Sequence, residues 1–128
     1  MNNFIRKASE LTFNQLPGRT SADPFAMFDI PSDGNISARI VNLSYDPDRH
    51  AHMHPKTVEI SYVLSGSGEL WLDGEFYAIE QGDSILIPRA IPHATIPDLE
   101  KTMQLLCVFP TSDFSSNIEE LAQKVIKK

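Results

Sequence analysis

Residues 50–66 read HAHMHPKTVEISYVLSG, and this stretch decides what the chain builds. Its first half places His50, His52 and His54 at alternate positions. Alternate side chains on an extended strand leave by the same face, so imidazoles spaced in this way converge on one point, as a metal ion requires. Its second half, residues 57–64, is rich in β-branched and aromatic residues and stops at Ser65, Gly66, Ser67 and Gly68, the composition of a strand ended by a tight turn. Glu59 lies five residues beyond His54 and adds a carboxylate from that next strand.

The flanking sequence repeats the strand-and-turn theme. Residues 36–43 alternate in character and end at Asp46, Pro47 and Asp48, a strand followed by a turn. Residues 69–72 and 75–79 flank Asp73 and Gly74, and an Asp-Gly pair between two such runs predicts a hairpin whose central residues both take positive φ. Further short strands are expected over residues 84–87, 93–96 and 102–109, so the body reads as an all-β sandwich or barrel. Residues 1–34, broken by Pro17, Gly18, Pro24, Pro31 and Gly34, read as an amino-terminal arm packing on the barrel or on a partner subunit, and residues 35–112 as the barrel. Residues 113–128 are expected to form a short α-helix, because Ile118, Leu121, Ala122, Val125 and Ile126 recur at helical spacing and Ser116 with Glu119 makes a capping box. Glu119 and Glu120 near its start, with Lys124, Lys127 and Lys128 near its end, suit the helix dipole.

Composition narrows the partners. The 128 residues are enough for one core, and the net charge of -6 provides no basic face for nucleic acid or an anionic membrane, so a small-molecule ligand is expected. No apolar run approaches the ~18 residues of a membrane span, and residues 1–13 hold no apolar stretch of signal-peptide length, which makes the cytoplasm the default location. The single cysteine, Cys107, lies in an apolar run and reads as a buried strand thiol.

As chemistry alone, two imidazoles from the first strand, Glu59 from the next and His93 from a distant one offer three nitrogens and an oxygen. That set suits one divalent first-row transition metal per chain (iron, manganese, nickel, cobalt or zinc) and suits calcium or magnesium poorly. Four protein ligands on an octahedral ion leave two positions open to water or substrate, the mark of a catalytic centre.

These residues resemble a known family. His52, Met53 and His54, four residues, Glu59, six residues and Gly66 reproduce the first motif of the cupins; Gly82, five residues, Pro88 and, five positions on, His93 reproduce the second. The short gap over residues 67–81 is similar to that of small single-domain microbial cupins. The resemblance implies a small six-stranded-core β-barrel or jelly roll with the metal inside, held by His52, His54, Glu59 and His93. His50 falls outside the motif spacing and reads as a solvated residue at the strand's start. Three positions depart from the pattern: Asp46 and Ala90 stand where cupins carry glycine and Pro97 where they carry asparagine.

Face alternation extends the reading. If Glu59 points inward, Ser61 and Val63 line the cavity beside it, and Ile60, Tyr62 and Leu64 form an apolar outer face. The resemblance implies that such a face is covered by a second subunit, making a homodimer. Gln104, a polar residue within an apolar run, is a candidate to orient substrate or else an edge residue with its own partner. Trp71, Phe76, Tyr77 and Met103 read as barrel filling and Arg89 as a solvated rim residue.

Two functions fit this reading. One is a metal-dependent enzyme on a small organic molecule, of dioxygenase, isomerase or lyase type with dioxygenase foremost; the alternative is a non-catalytic binding or sensor cupin. The stretch 108–114 resembles small cupins that include lyases cleaving dimethylsulfoniopropionate, but where those carry a tyrosine two residues after the ligand glutamate this chain has Ser61. No catalytic acid or base is identified.

Overall fold

The computed structural model describes residues 4–5, 7–26, 28 and 35–125. Apart from a 3₁₀ turn at Ala8–Glu10, the regular structure among them is all β. In chain order the strands are β1 (Asn14–Leu16), β2 (Arg19–Ala22), β3 (Ser37–Ser44), β4 (His50–Met53), β5 (Glu59–Ser65), β6 (Ser67–Leu72), β7 (Glu75–Glu80), β8 (Ser84–Ile87), β9 (His93–Pro97), β10 (Thr102–Phe109) and β11 (Glu119–Lys124). They form two antiparallel sheets, one ordered β1-β2-β3-β10-β5-β8 and the other β11-β4-β9-β6-β7. This is the jelly-roll arrangement expected from the strand pattern.

The core lies between the sheets. On β10 the residues Met103, Leu105, Cys107 and Phe109 are all buried, while Gln104, Leu106 and Val108 between them are only partly so. Val41 and Leu43 of β3, Val63 of β5 and Ile85 and Ile87 of β8 join the same face, and Leu70 and Ile79 meet them from the other sheet. Each such side chain contributes about 1.5–3 kcal/mol through removal from water. A second cluster, Ala51, Trp71, Ala94, Ile96 and Val125, covers the far side of the β4-β9-β6 sheet.

The β6–β7 hairpin turns at Asp73 (φ 47°) and Gly74 (φ 97°), both positive as the Asp-Gly pair predicts. The arm contributes β1 and β2, which add a hairpin to the edge of β3 through Ser21↔Val41 and Arg19↔Leu43. Residues 1–3, 6, 27 and 29–34 of the arm lie outside the described residues.

Among the described residues, the carboxyl-terminal helix expected over residues 113–128 is not formed. Residues Glu119–Lys124 instead make β11, antiparallel to β4 with Glu119↔Met53, Glu120↔His52 and Lys124↔His50. Ser116, expected to cap a helix, gives its hydroxyl to Asp113 Oδ2 at 2.5 Å. The physical reason is competition: a helix this short is marginal alone, whereas β4 offers an open edge of unpaired N–H and C=O groups. The apolar spacing did not discriminate, because Leu121 and Val125 are four apart, an even number that puts them on one side of a strand as well. Both reach the Trp71 cluster. Ile126, Lys127 and Lys128 lie outside the described residues.

The outer face of β5 is apolar, as alternation predicts. Ile60 (53% exposed), Tyr62 (45%) and, opposite Ile60 on β8, Leu86 (63%) form a patch open to solvent in the single chain. Among the described residues no helix is long and apolar enough to cross a membrane.

Candidate metal centre

The register of two strands assembles the centre. On β4 and β9, His52 and His93 are directly opposite partners, with ring centroids 4.3 Å apart. His54 leaves by the same face just past β4, its ring 5.2 Å from each of the other two. Glu59 enters from β5 in the facing sheet, buried at the strand's first position. The candidate ligand atoms of His52, His54, Glu59 and His93 all lie within 4.8 Å of one another, so the group can hold a metal ion.

Hydrogen bonding at the back of two rings prepares their front. His54 Nδ1 lies 2.7 Å from the carbonyl oxygen of Asn117, and His93 Nδ1 lies 2.9 Å from that of Ile91. A carbonyl can only accept, so each Nδ1 carries a proton, which leaves Nε2 as the atom of each ring that a metal ion would take. Both Nε2 atoms are buried and make no hydrogen bond. They stand 2.8 Å (His54) and 3.5 Å (His93) from Glu59 Oε1. Two imidazole nitrogens and a carboxylate converging in a buried site make a place for a cation. Ligands at adjacent corners of an ion with bonds of about 2.1 Å stand roughly 3 Å apart, which these separations match.

The electrostatics agree. Burial alone would raise the carboxyl of Glu59, but the His54 and His93 imidazoles facing it outweigh that and hold it well below the usual range. Ser61 donates its hydroxyl to the other carboxylate oxygen, Oε2. Burial first, then the charges of His93 and Arg19, push His52 well below the ordinary imidazole value. Burial and the Glu59 charge push the Cys107 thiol well above its usual value, so it stays protonated beside the centre.

Around the centre lies a cavity holding about 570 Å³ of atom-free space, its mouth included. Besides the four candidate ligands, Arg19, Arg39, Arg49, Cys107, Phe109 and Phe114 line it. His50 also touches the cavity from the exposed start of β4 but is not part of the four-residue group. Of the expected pocket residues, Ser61 is buried and spent on Glu59 and Val63 is sealed in the core, and neither lines the cavity. Gln104 is turned the other way, its amide donating to Asn42 Oδ1 at 3.0 Å across the β10–β3 pair. The four inward positions of β10 are all taken by core residues, so Gln104 falls on the outer face by parity. Arg89 is exposed and donates to the carbonyl of Pro55.

Sequence reasoning overlooked Asn117 and the arginines. Asn117 is fully buried; besides holding His54 through its carbonyl, its side chain accepts from the Lys56 amide and donates to Thr57 Oγ1. No spacing linked it to His54, which lies 63 positions away. For Arg39 there was a signal: it alternates with Val41 and Leu43, a charge on an otherwise apolar inward face.

A family model described as a cupin domain matches residues 41–109, more than half of the chain and the stretch that holds all four candidate ligands. The chain is a cupin. An uncharacterized protein, MJ1618, of Methanocaldococcus jannaschii is 36% identical over 56 residues, which are 44% of this cupin and 45% of that relative. The match thus spans less than half the length of the curated relative. Among solved structures, the nucleoside dehydratase Pac13 superposes with a TM-score of 0.74 at 13% identity, over 98% of this cupin and 95% of that chain. Lactobacillus farciminis oxalate decarboxylase, solved as a formate complex, superposes with a TM-score of 0.72 at 21% identity, over 88% of this cupin but 34% of that chain. At such identities the likeness establishes the fold alone.

Proposed function

We propose that this cupin is a metal-dependent enzyme acting on a small organic molecule at a centre made of His52, His54, Glu59 and His93. The observation that carries the reading is the pair of buried, unbonded Nε2 atoms of His54 and His93 aimed at Glu59, each fixed by a carbonyl at its Nδ1. An iron, manganese, nickel, cobalt or zinc ion bound there would supply Lewis acidity or, for iron, a site for O₂. The protein's own part is to fix His54 and His93 through the carbonyls at their Nδ1, to keep Glu59 charged through the imidazoles that face it, and to exclude bulk water with Phe109 and Phe114. Few groups remain for proton transfer, because Ser61 is occupied by Glu59 and the Cys107 thiol is held protonated. This favours chemistry done by the metal, of dioxygenase type, over a reaction that needs a protein base. Both neighbours in fold named above are enzymes, which supports catalysis without specifying the reaction.

The same scarcity of acid and base groups supports the second reading, a metal-holding cupin that binds a small ligand without turning it over. Elemental analysis of the purified protein together with oxygen uptake by the iron-loaded form, on a panel of phenols, thiols and enediols, separates the two. Turnover with any of them sustains the enzyme; ligands that raise the melting temperature without turnover, across the panel, assign the binding role. The exposed Ile60, Tyr62 and Leu86 patch supports a homodimer through this face, checked by the molar mass in solution.

A further inference from the structure

Besides the candidate metal ligands, the cavity lining carries three guanidinium groups. Arg19 comes from the first position of β2, Arg39 from β3, and Arg49 from the residue before β4, and all three line the same space as the imidazoles. Burying three cations in one cavity is costly unless each meets an anion. Two of them do. Arg19 pairs with Glu120 Oε1 at 2.7 Å, and Arg39 pairs with Asp23 Oδ2 at 3.3 Å while lying 4.0 Å over the Phe114 ring.

Arg49 does not. It is only 5% exposed, it makes no ion pair among the described residues, and its buried Nε–H has no hydrogen-bond partner. Its Nη2 is anchored, donating to the carbonyls of Gly18 (3.1 Å) and Ser44 (2.7 Å), which keeps the head in place. Burial disfavours its charge; the Asp46 carboxylate, which makes no ion pair with it, offsets part of that cost, and the neighbouring Arg19 adds repulsion. A buried, anchored cation with one unused donor, facing a cavity, is the shape of a receptor for an anion.

We propose that the cavity takes a small organic acid whose carboxylate is received by Arg49, with the rest of the molecule directed towards the metal ligands. With Asp46 and Glu59 already nearby, a singly charged carboxylate suits the site better than a phosphate. Arg19 and Arg39 each have a carboxylate in an ion pair, whereas Arg49 has none among the described residues and feels Asp46 only at longer range, so a single further negative charge is enough to complete its surroundings. This inference rests on the metal-centre reading only for the direction in which the ligand points; the anion site itself is made of arginine.

The test is calorimetric binding of propionate, pyruvate and malonate to the full-length protein, zinc-loaded and after EDTA treatment, with propionamide and inorganic phosphate as controls. Carboxylates are expected to bind and propionamide to fail by at least tenfold, in both forms of the protein. Arg49→Gln should weaken carboxylate binding about ten- to a hundredfold, the usual loss for a charge-assisted hydrogen bond, while zinc measured by elemental analysis stays at one per chain. Arg49→Lys, which keeps the charge but lacks the Nε–H, should also weaken it and guards against a Gln variant that does not fold. Equal binding of propionamide and propionate by the wild type, tighter binding of phosphate than of any carboxylate, or unchanged affinity in both variants would overturn the proposal. A wild type that binds no zinc yet discriminates propionate from propionamide through Arg49 would instead remove the metal reading and leave the anion site standing.

Discussion

The cavity has two walls, and they were assembled by different means. The imidazole wall is local: His52 is on β4, His54 lies just past its end, and His93 is the direct cross-strand partner of His52, so alternation and pairing register bring the rings together. The guanidinium wall is collected from afar, with Arg19, Arg39 and Arg49 drawn from the added hairpin, a central strand and a turn. A wall built by periodicity leaves a spacing that can be read in the sequence. A wall built by packing leaves little, here only the alternation of Arg39 with Val41 and Leu43. The contrast extends to charge, for a chain of net -6 keeps three of its eleven Lys and Arg residues facing this one cavity.

The largest effect that can break this division is on the metal. His54→Ala and His93→Ala should each abolish stoichiometric metal, as measured by elemental analysis, whereas His50→Ala should leave it intact. Metal retained at full occupancy in both of the first two variants would mean that the imidazole wall is not the metal centre. Next in size is Asn117→Ala. It removes the buried side chain that bonds Lys56 and Thr57, and so loosens the carbonyl that holds His54. Metal affinity should fall about tenfold, at the lower end of what losing such a supporting group costs, and chemical denaturation should show about 1–3 kcal/mol less stability.

Acid provides a third, graded test. His52 titrates well below its ordinary 6.5, so as pH falls below that value the unfolded chain takes up a proton that the folded chain refuses. Glu59, held well below 4.5, then acts in the same direction: its carboxylate stabilises the fold above that value, and the contribution is lost as pH falls through its lowered folded-state pKa. The melting temperature of the metal-free protein should therefore decline from below pH 6.5 and decline further under pH 4.5. His52→Gln should flatten the first part of the curve, and a curve with the same slope in that variant would remove His52 as the cause.

The smallest effect concerns Ala90, which stands where cupins carry glycine. It takes φ 61°, in the left-handed region, and its amide donates to the carbonyl of His54 at 2.8 Å. Ala90→Gly should relieve that strain and raise stability by about 1 kcal/mol without altering metal content.

Much of the molecule was therefore legible. The strands of the barrel, the Asp73-Gly74 turn and the four candidate ligands all follow from short-range patterns. Even the departure at Ala90 marked a turn under strain. Gln104 was half legible: its need for a partner could be inferred, but which face of β10 looked inward depended on the sheet packed against it. Most opaque was the carboxyl end, where Leu121 and Val125 satisfy helix and strand equally and only the open edge of β4 decides between them.

That edge gives β11 a protective duty. It covers the outer margin of the strand that bears His52, and its Glu120 reaches across to neutralise Arg19 on the hairpin near the other end of the chain. Clipping residues 113–128 with a carboxypeptidase or by early termination would therefore do more than shorten the protein. It would bare a ready-made template for intermolecular pairing beside the cavity and release a second buried cation, turning a well-behaved barrel into one prone to self-association.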